Sequence, residues 1–258
     1  MLKKNTIKQN VSIYEFIKMN TKDGHLPERF RIPWLKDMWA PGAHDGTLLK
    51  HMHPLDVSTE FERKNMILDA LKLMSDKDNG NNVEEVIAIF EELDNKFGIV
   101  RLYGEICASI VVNRQALNLR NLLSFADWLL CNGLSLLTVK LGLTILSIYD
   151  APFVETVMME MGVYDEFTYY SARTLSKGSW PKGNEELFIL AKNVHGWGRI
   201  HAVEWIKPET QEIKDWLLFE GADNTVIPQY SANICLQKAE AENRLEGDLS
   251  TREYKCKW

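Results

Sequence analysis

Trp197-Gly-Arg-Ile-His-Ala202 is one of five six-residue strings in this chain that begin with a large apolar side chain and end in a small one. The other four are Tyr103-Gly-Glu-Ile-Cys-Ala108, Leu137-Thr-Val-Lys-Leu-Gly142, Phe167-Thr-Tyr-Tyr-Ser-Ala172 and Ile227-Pro-Gln-Tyr-Ser-Ala232. Successive small residues lie 34, 30, 30 and 30 positions apart, and three positions after each comes another apolar side chain, at Val111, Ile145, Leu175, Trp205 and Cys235. These offsets fall on one face of an α-helix. The strings therefore predict five helices, each with a small residue where a neighbouring helix approaches closely.

A second apolar helical segment precedes each of these helices. The preceding segments cover residues 83–93, 119–131, 153–161, 185–194 and 210–220. Glycine is common just past a helix C-terminus, and glycines lie near the predicted ends of four segments, at Gly133, Gly162, Gly196 and Gly221. A further helix is predicted to begin at a Ser58 or Thr59 cap and to run through Met74. Because no segment shows the sustained alternation of a strand, we predict an all-α protein, an α-α superhelix (a short solenoid) of about five helix pairs.

Two of the second helices resemble those of HEAT-type and armadillo-type repeats. In Val100-Arg101-Leu-Tyr-Gly104 and Gly198-Arg199-Ile-His-Ala202, an arginine precedes a small residue by three positions. The resemblance covers residues 59–240 and implies a curved helical scaffold that holds another macromolecule. It does not imply one particular activity.

The two ends of the chain differ from the repeat in composition. Residues 1–58 contain a short amphipathic segment around Phe16 and then four prolines that exclude a long helix, so we expect an irregular N-terminal cap. The helical-repeat domain is predicted over residues 59–241, and the polar residues 242–258 are predicted to form a C-terminal tail. The most apolar stretch, 133–149, is interrupted by Lys140 and falls short of the ~20 residues that span a bilayer, which predicts a buried helix.

A ridge along the second helices is the predicted ligand groove, because these helices often line the concave side of a stacked repeat. The ridge lies seven and three positions before each small residue and one position after it. In the last three units it brings together charged, aromatic and amide side chains, namely Asp165, Tyr169, Arg173, His195, Arg199, Gln229 and Asn233. Arg173 and Arg199 could hold a carboxylate or a phosphate through paired hydrogen bonds. The alternative is a ladder of ion pairs between repeats on a solvated face.

The string from His195 to His201 places a glycine on each side of Trp197 at a predicted helix start. Free amides at a helix N-terminus, beside Arg199, can bind an anion, which adds Trp197 to the predicted groove. The alternative is a turn in which Trp197 is a buried core anchor.

Histidines near the N-terminus supply ligand types that suit a metal ion. They occur in His44-Asp45 and in His51-Met52-His53. However, adjacent His-x-His ligands converge only on a strand-like or bent backbone, and no further ligand has a defined spacing. A surface loop is the alternative. We therefore expect no metal and no cofactor, and the sequence contains no phosphate-binding glycine loop.

Charge and cysteine usage limit the function further. The chain has 30 Lys and Arg against 36 Asp and Glu, a formal net charge of −6, which argues against nucleic-acid binding. Its four cysteines form no CxxC pair, and no apolar leader follows the N-terminus, which favours a reducing cytoplasm. We therefore expect a cytoplasmic scaffold that binds a protein or peptide partner and neither nucleic acid nor membrane.

Two alternative functions stay open. Some small HEAT-like proteins resemble this chain in size and act as DNA glycosylases on alkylated bases, and the residue types that they use are available here at Asp127, Trp128, Arg173, Trp180, Trp197 and Arg199. The other alternative is a structural subunit, including a homo-oligomer. In that case residues 1–36, with a local charge of +5, would pair with the acidic run between Glu84 and Asp94 of another chain.

Overall fold

The computed structural model of this protein describes residues 11–36, 39–76, 82–224, 226 and 228–245, and every regular element among them is helical. The described α-helices are, in chain order, α1 (Ile13–Asn20), α2 (Ala43–His51), α3 (Glu60–Ser75), α4 (Val83–Phe97), α5 (Ile99–Val112), α6 (Leu119–Asn132), α7 (Leu136–Leu146), α8 (Pro152–Gly162), α9 (Thr168–Leu175), α10 (Gly183–Asn193), α11 (Gly196–Trp205), α12 (Gln211–Trp216), α13 (Gln229–Lys238) and α14 (Ala241–Leu245). A 3₁₀ turn, Val57–Thr59, leads into α3, and a π-helical turn, Leu217–Gly221, extends α12. The predicted all-α class is confirmed.

Side chains cap some of the helix starts, but the predicted cap Thr59 precedes α3 without accepting a capping hydrogen bond. Asn118 caps α6 by accepting hydrogen bonds from two backbone N–H groups, and Ser135 and Thr210 each accept one at the starts of α7 and α12. The four glycines near predicted helix ends do not share one backbone conformation. Only Gly196, of the four near predicted helix ends, has a left-handed φ (61°), and it opens α11 instead of following α10.

Contacts along the chain divide it into two compact units. One unit contains the described residues through Asn20 together with Pro27–Lys36 and His51–Tyr149, and the other contains Thr21–Leu26, the described residues of 37–50, and the described chain from Asp150. This division falls inside the stretch that the sequence predicts as a single repeat domain. Residues of the predicted irregular cap instead form α1 and α2 and are shared between the units. Of the predicted tail, residues 242–245 belong to α14 and 246–258 lie outside the described residues.

Helix α7 is the centre of the first unit. It contacts α4, α5 and α6, and every residue from Thr138 to Leu146 is buried, including Lys140. A helix that is buried around its whole circumference belongs in a core, so the predicted buried helix is confirmed. Gly142 allows α6 to approach, because a β-carbon at this position would stand 3.2 Å from the carbonyl oxygen of Ala126.

The predicted register of small residues is wrong for α5. Ala108 is exposed and Val111 is 58 % exposed, whereas the helix buries Leu102, Ile106 and Ile110. The other four positions face the interior to different degrees: Gly142, Ala172 and Ala202 are buried, and Ala232 is half-buried.

Successive helix pairs pack on one another in the second unit. Helix α8 contacts α9 and α10, and α11 contacts α9, α10 and α13. Gly162, at the end of α8, permits the approach of α9, because its β-carbon would stand 2.9 Å from the β-carbon of Ser171. Ala172 and Ala202 are completely buried. This packing is consistent with a helical repeat.

A carboxyl pair lies where α8 meets α10. Burial, followed by the hydrogen bond and the charge of Glu155, raises the pKa of Glu186 to about 7, with Lys182 opposing this shift and Glu185 adding to it. The folded chain therefore holds this proton more tightly than the unfolded chain, in which a glutamate has its ordinary value of 4.5. The resulting stabilisation is complete below the unfolded pKa and is lost as the pH rises through about 7.

We therefore expect Glu186→Gln to raise the melting temperature more at pH 8 than at pH 5. The amide keeps the shape of the carboxyl group and removes the repulsion between the two carboxylates. Glu185→Gln, which makes the same charge change on an exposed neighbour, is the control. Calorimetry of both variants at the two pH values checks this, and an equal effect of Glu186→Gln at pH 5 and pH 8 would contradict it.

Candidate functional site

The second helices of the second unit, α9, α11 and α13, lie with their C-terminal ends side by side. The guanidinium of Arg173, in the last turn of α9, is 5.0 Å from the ring centre of Trp205, the last residue of α11. Lys238, the last residue of α13, donates hydrogen bonds of 2.6–2.8 Å to three carbonyl oxygens at the end of α11, those of Val203, Glu204 and Ile206. The three helices are therefore parallel neighbours that are tied together at one end.

Aromatic rings form a continuous row across these helices. His201 meets Tyr169 edge-on at 5.4 Å, and its ring centre is 6.2 Å from that of Trp197. Trp197 in turn lies 5.1 Å from Tyr230 of α13. His201 is buried, with Nδ1 3.5 Å from a carboxylate oxygen of Glu204. The row gives the second helices a buried aromatic layer.

Arg173 is the half-buried cation beside this layer. Its guanidinium donates a 2.8 Å hydrogen bond to the hydroxyl of Tyr169 and lies against the rings of both Tyr169 and Trp205. A planar guanidinium that is stacked on aromatic rings keeps a fixed orientation and suits carboxylate or phosphate groups. This end of the second helices can therefore recognise an acidic group next to an apolar one.

Arg199 stabilises the fold through hydrogen bonds to the main chain. It is buried, and its guanidinium donates to the carbonyl oxygens of Val194 at 2.9 Å, Asp223 at 2.7 Å and Lys192 at 3.3 Å. It also lies 5.6 Å from the ring centre of Trp216, and burial lowers the pKa of its side chain. Arg199 and Arg173, predicted to share a ligand, thus have different partners, and an anion at Arg199 would have to displace main-chain bonds.

Asp165 lies at the start of α11. A β-carbon on Gly198 would stand 2.7 Å from a carboxylate oxygen of Asp165 and 2.8 Å from the hydroxyl of Thr168. A negative charge is favourable at a helix N-terminus. The chain thus places its own carboxylate where an anion was predicted. Trp197 is buried, in keeping with the core-anchor alternative.

The remaining predicted groove residues lie outside the aromatic row. His195 is exposed immediately before α11, and Gln229 and Asn233 are exposed on α13. In contrast, His201 and Trp205 belong to the site and were missed from the predicted groove. They follow Trp197 by four and eight positions, a spacing that places all three on one side of a helix. That periodicity is the signal that could have found them.

The residues behind the metal and glycosylase alternatives are dispersed. Within the described parts of the chain, no group of three or more His, Cys, Asp or Glu side chains is placed to hold a metal ion. His44 is exposed, whereas Asp45 is buried and accepts a 3.3 Å hydrogen bond from the hydroxyl of Tyr170. Of the glycosylase set, Asp127 and Trp128 belong to the first unit and the others to the second.

No protein-family model, curated protein or solved structure matches this chain. None of the described helices combines the length and the apolar character that crossing a bilayer requires. The function must therefore be inferred from the residues and their contacts.

We expect Arg199→Met to destabilise the protein by about 3 kcal/mol, because three carbonyl oxygens lose a charged donor while the apolar stem is kept. Arg173→Met is the matched control and should cost no more than about 1 kcal/mol, because this side chain is half-exposed. Urea unfolding followed by circular dichroism measures both changes. A larger loss for Arg173→Met than for Arg199→Met would contradict this assignment.

Proposed function

We propose that this protein is a HEAT-like α-solenoid that acts as a cytoplasmic scaffold and binds a protein or peptide along α9, α11 and α13. The parallel arrangement of these helices supports the proposal, because successive second helices of a stacked repeat present one continuous surface. The half-buried Arg173 and Trp205 and the neighbouring Tyr169 are also of the residue types that contribute most to protein–protein binding.

The observation that carries the proposal is that the cationic side chains of the second helices are buried or hydrogen-bonded within the protein. Each of the five second helices contains one Arg or Lys, and these are Arg101, Lys140, Arg173, Arg199 and Lys238. Three of them donate to main-chain carbonyl oxygens, Lys140 is buried, and Arg173 bonds to Tyr169. A nucleic acid needs several cations that can neutralise its phosphates. Since these cations already have partners within the protein, their faces suit a polypeptide better than DNA.

The cytoplasmic location rests on the thiols. Among the described residues, Cys107, Cys131 and Cys235 form no disulfide, and burial raises the pKa of Cys235 to about 11, which keeps it protonated and unreactive. Cysteines outside disulfides are usual in a reducing compartment. The scaffold as proposed needs no cofactor and catalyses no reaction.

A photo-crosslinking amino acid at position 233 tests the proposal. Asn233 is exposed on the second helix α13, and Glu185, exposed on the first helix α10, is the matched control position. We expect irradiation in cell extract to give one discrete adduct from position 233 and none from position 185. Excess wild-type protein should suppress the adduct.

Other outcomes would overturn the proposal in different ways. Equal labelling at both positions, or no adduct at position 233, would contradict a partner on the second helices. An adduct with the mass of two copies of this chain would favour self-association. Salt-sensitive binding of a duplex with an alkylated base would favour the glycosylase.

A further inference from the structure

Helix α2 lies against one side of α11. Every residue of α11 from Gly196 to Val203 is buried. Helices α9, α10 and α13 contact α11 as neighbours in the repeat. Ala43 of α2 joins Trp197 and Ile200 of α11 in one apolar cluster. A segment from more than a hundred residues upstream thus lies on the helix that is central to the proposed binding surface.

The close packing of α2 and the residue before it against the rest of the second unit requires glycine at two positions. A β-carbon on Gly46 would stand 2.0 Å from the ring of Trp197, so only glycine allows this approach. Gly42, which has a left-handed φ of 73°, is also enclosed, because its β-carbon would stand 2.7 Å from the carbonyl oxygen of Asp165. The indole thus lies against the surface of α2 itself.

Polar contacts fix the two ends of this segment. At its start the N–H of Gly42 donates a 2.7 Å hydrogen bond to the buried carboxylate of Glu166, and Asp45 accepts one from Tyr170. At its end Lys50 forms an ion pair with Glu204. The position of α2 along α9 and α11 is therefore set by hydrogen bonds and charge.

The helix α2 itself contributes few apolar side chains to these contacts, since Ala43 is its one buried apolar side chain and Leu48 and Leu49 are half-buried. The buried residues of α2 are Ala43, Asp45 and Gly46, whereas α10 buries Leu187, Phe188 and Leu190 among others. Burial of large apolar side chains is the main stabilising contribution to helix packing, and polar contacts can be exchanged for those of water or of a partner. Segments with few buried apolar contacts open at lower cost than the core.

We infer that α2 is a displaceable strap, an intramolecular ligand that occupies the α9–α11 surface and lifts off when a partner helix binds. This inference rests on the proposed function and specifies the partner. The partner is a helix with small residues at positions i and i+3, an Asp at i+2 and a Lys at i+7, which is the pattern of Ala43, Gly46, Asp45 and Lys50, and a glycine such as Gly42 precedes it.

Hydrogen exchange of the wild-type chain tests the strap without any variant. The amides of α2 should exchange at least tenfold faster than those of α9 and α11, because α2 opens while the repeat stays folded. Lys50→Met, which removes the ion pair and keeps the apolar stem, should increase the α2 rate further. Exchange of α2 at the rate of α9 and α11 would make α2 an integral part of the core and overturn the inference.

Gly46→Ala tests whether the vacated surface accepts a helix. The methyl group collides with Trp197 but favours helix formation in α2 itself. A fluorescein-labelled synthetic peptide of residues 39–51 should bind this variant at least tenfold more tightly than it binds the wild type. The same peptide carrying Gly46→Ala should not bind. Gly104→Ala is the matched control protein, because a β-carbon at Gly104 meets nothing within 4 Å.

Equal affinity of the peptide for Gly46→Ala and the wild type would overturn the inference. The peptide experiment needs no external partner, so its outcome is separate from that of the crosslinking. If α2 exchanges as slowly as α9 and α11 but a partner crosslinks at position 233, the displaceable strap is refuted and the proposed scaffold is retained. If α2 exchanges fast and the peptide binds as expected but no adduct forms at position 233, the proposed scaffold is refuted and the displaceable strap is retained.

Discussion

Close approach of helices at small side chains is the constraint on which the rest of this structure depends. Ala172 and Ala202 are completely enclosed, and Gly198 and Gly46 leave no room for a β-carbon beside Asp165 and Trp197. Protein interiors are packed so tightly that one additional carbon at such a position must displace a neighbour. The small residues therefore determine which helices can be neighbours, and they bring the aromatic row, Arg173 and α2 together.

Polar groups complete what the small residues allow. Helix ends leave carbonyl oxygens without intrahelical donors. Lys238 satisfies the end of α11, and Arg199 bonds to carbonyls at the end of α10 and beyond the π-helical turn. The same cations are thereby withdrawn from the surface. A chain that uses its second-helix cations in this way is better suited to recognise a mixed apolar and polar polypeptide than a row of phosphates.

The sequence was informative where the signal is local. Apolar periodicity predicted the helix pairs, and the run around Lys140 predicted the buried α7. The small-residue register failed at Ala108, because apolar residues surround that position on several sides and more than one helical face could be buried. The role of α2 could not be predicted at all. Its buried residues are Ala, Asp and Gly, which carry no apolar periodicity, and its partners Tyr170 and Trp197 lie more than a hundred residues away.

The candidate site shows the same limit. Tyr169 and Arg173 were found from their register and Trp197 from the glycines on either side of it, but the geometry separates Arg199 from them and adds His201 and Trp205. Which of two arginines bonds to the main chain depends on where distant helix ends lie, and no local pattern records that.

The most direct test of the packing constraint is the unfolding free energy of Ala202→Leu compared with that of Ala108→Leu. Ala202 is 0 % exposed and Ala108 is exposed, although both occupy the same place in the repeat pattern. Overpacking at Ala202 should cost about 1–3 kcal/mol, whereas leucine at Ala108 should change the stability by no more than about 0.5 kcal/mol. Equal effects at the two positions would contradict the claim that small side chains at helix contacts hold this fold together.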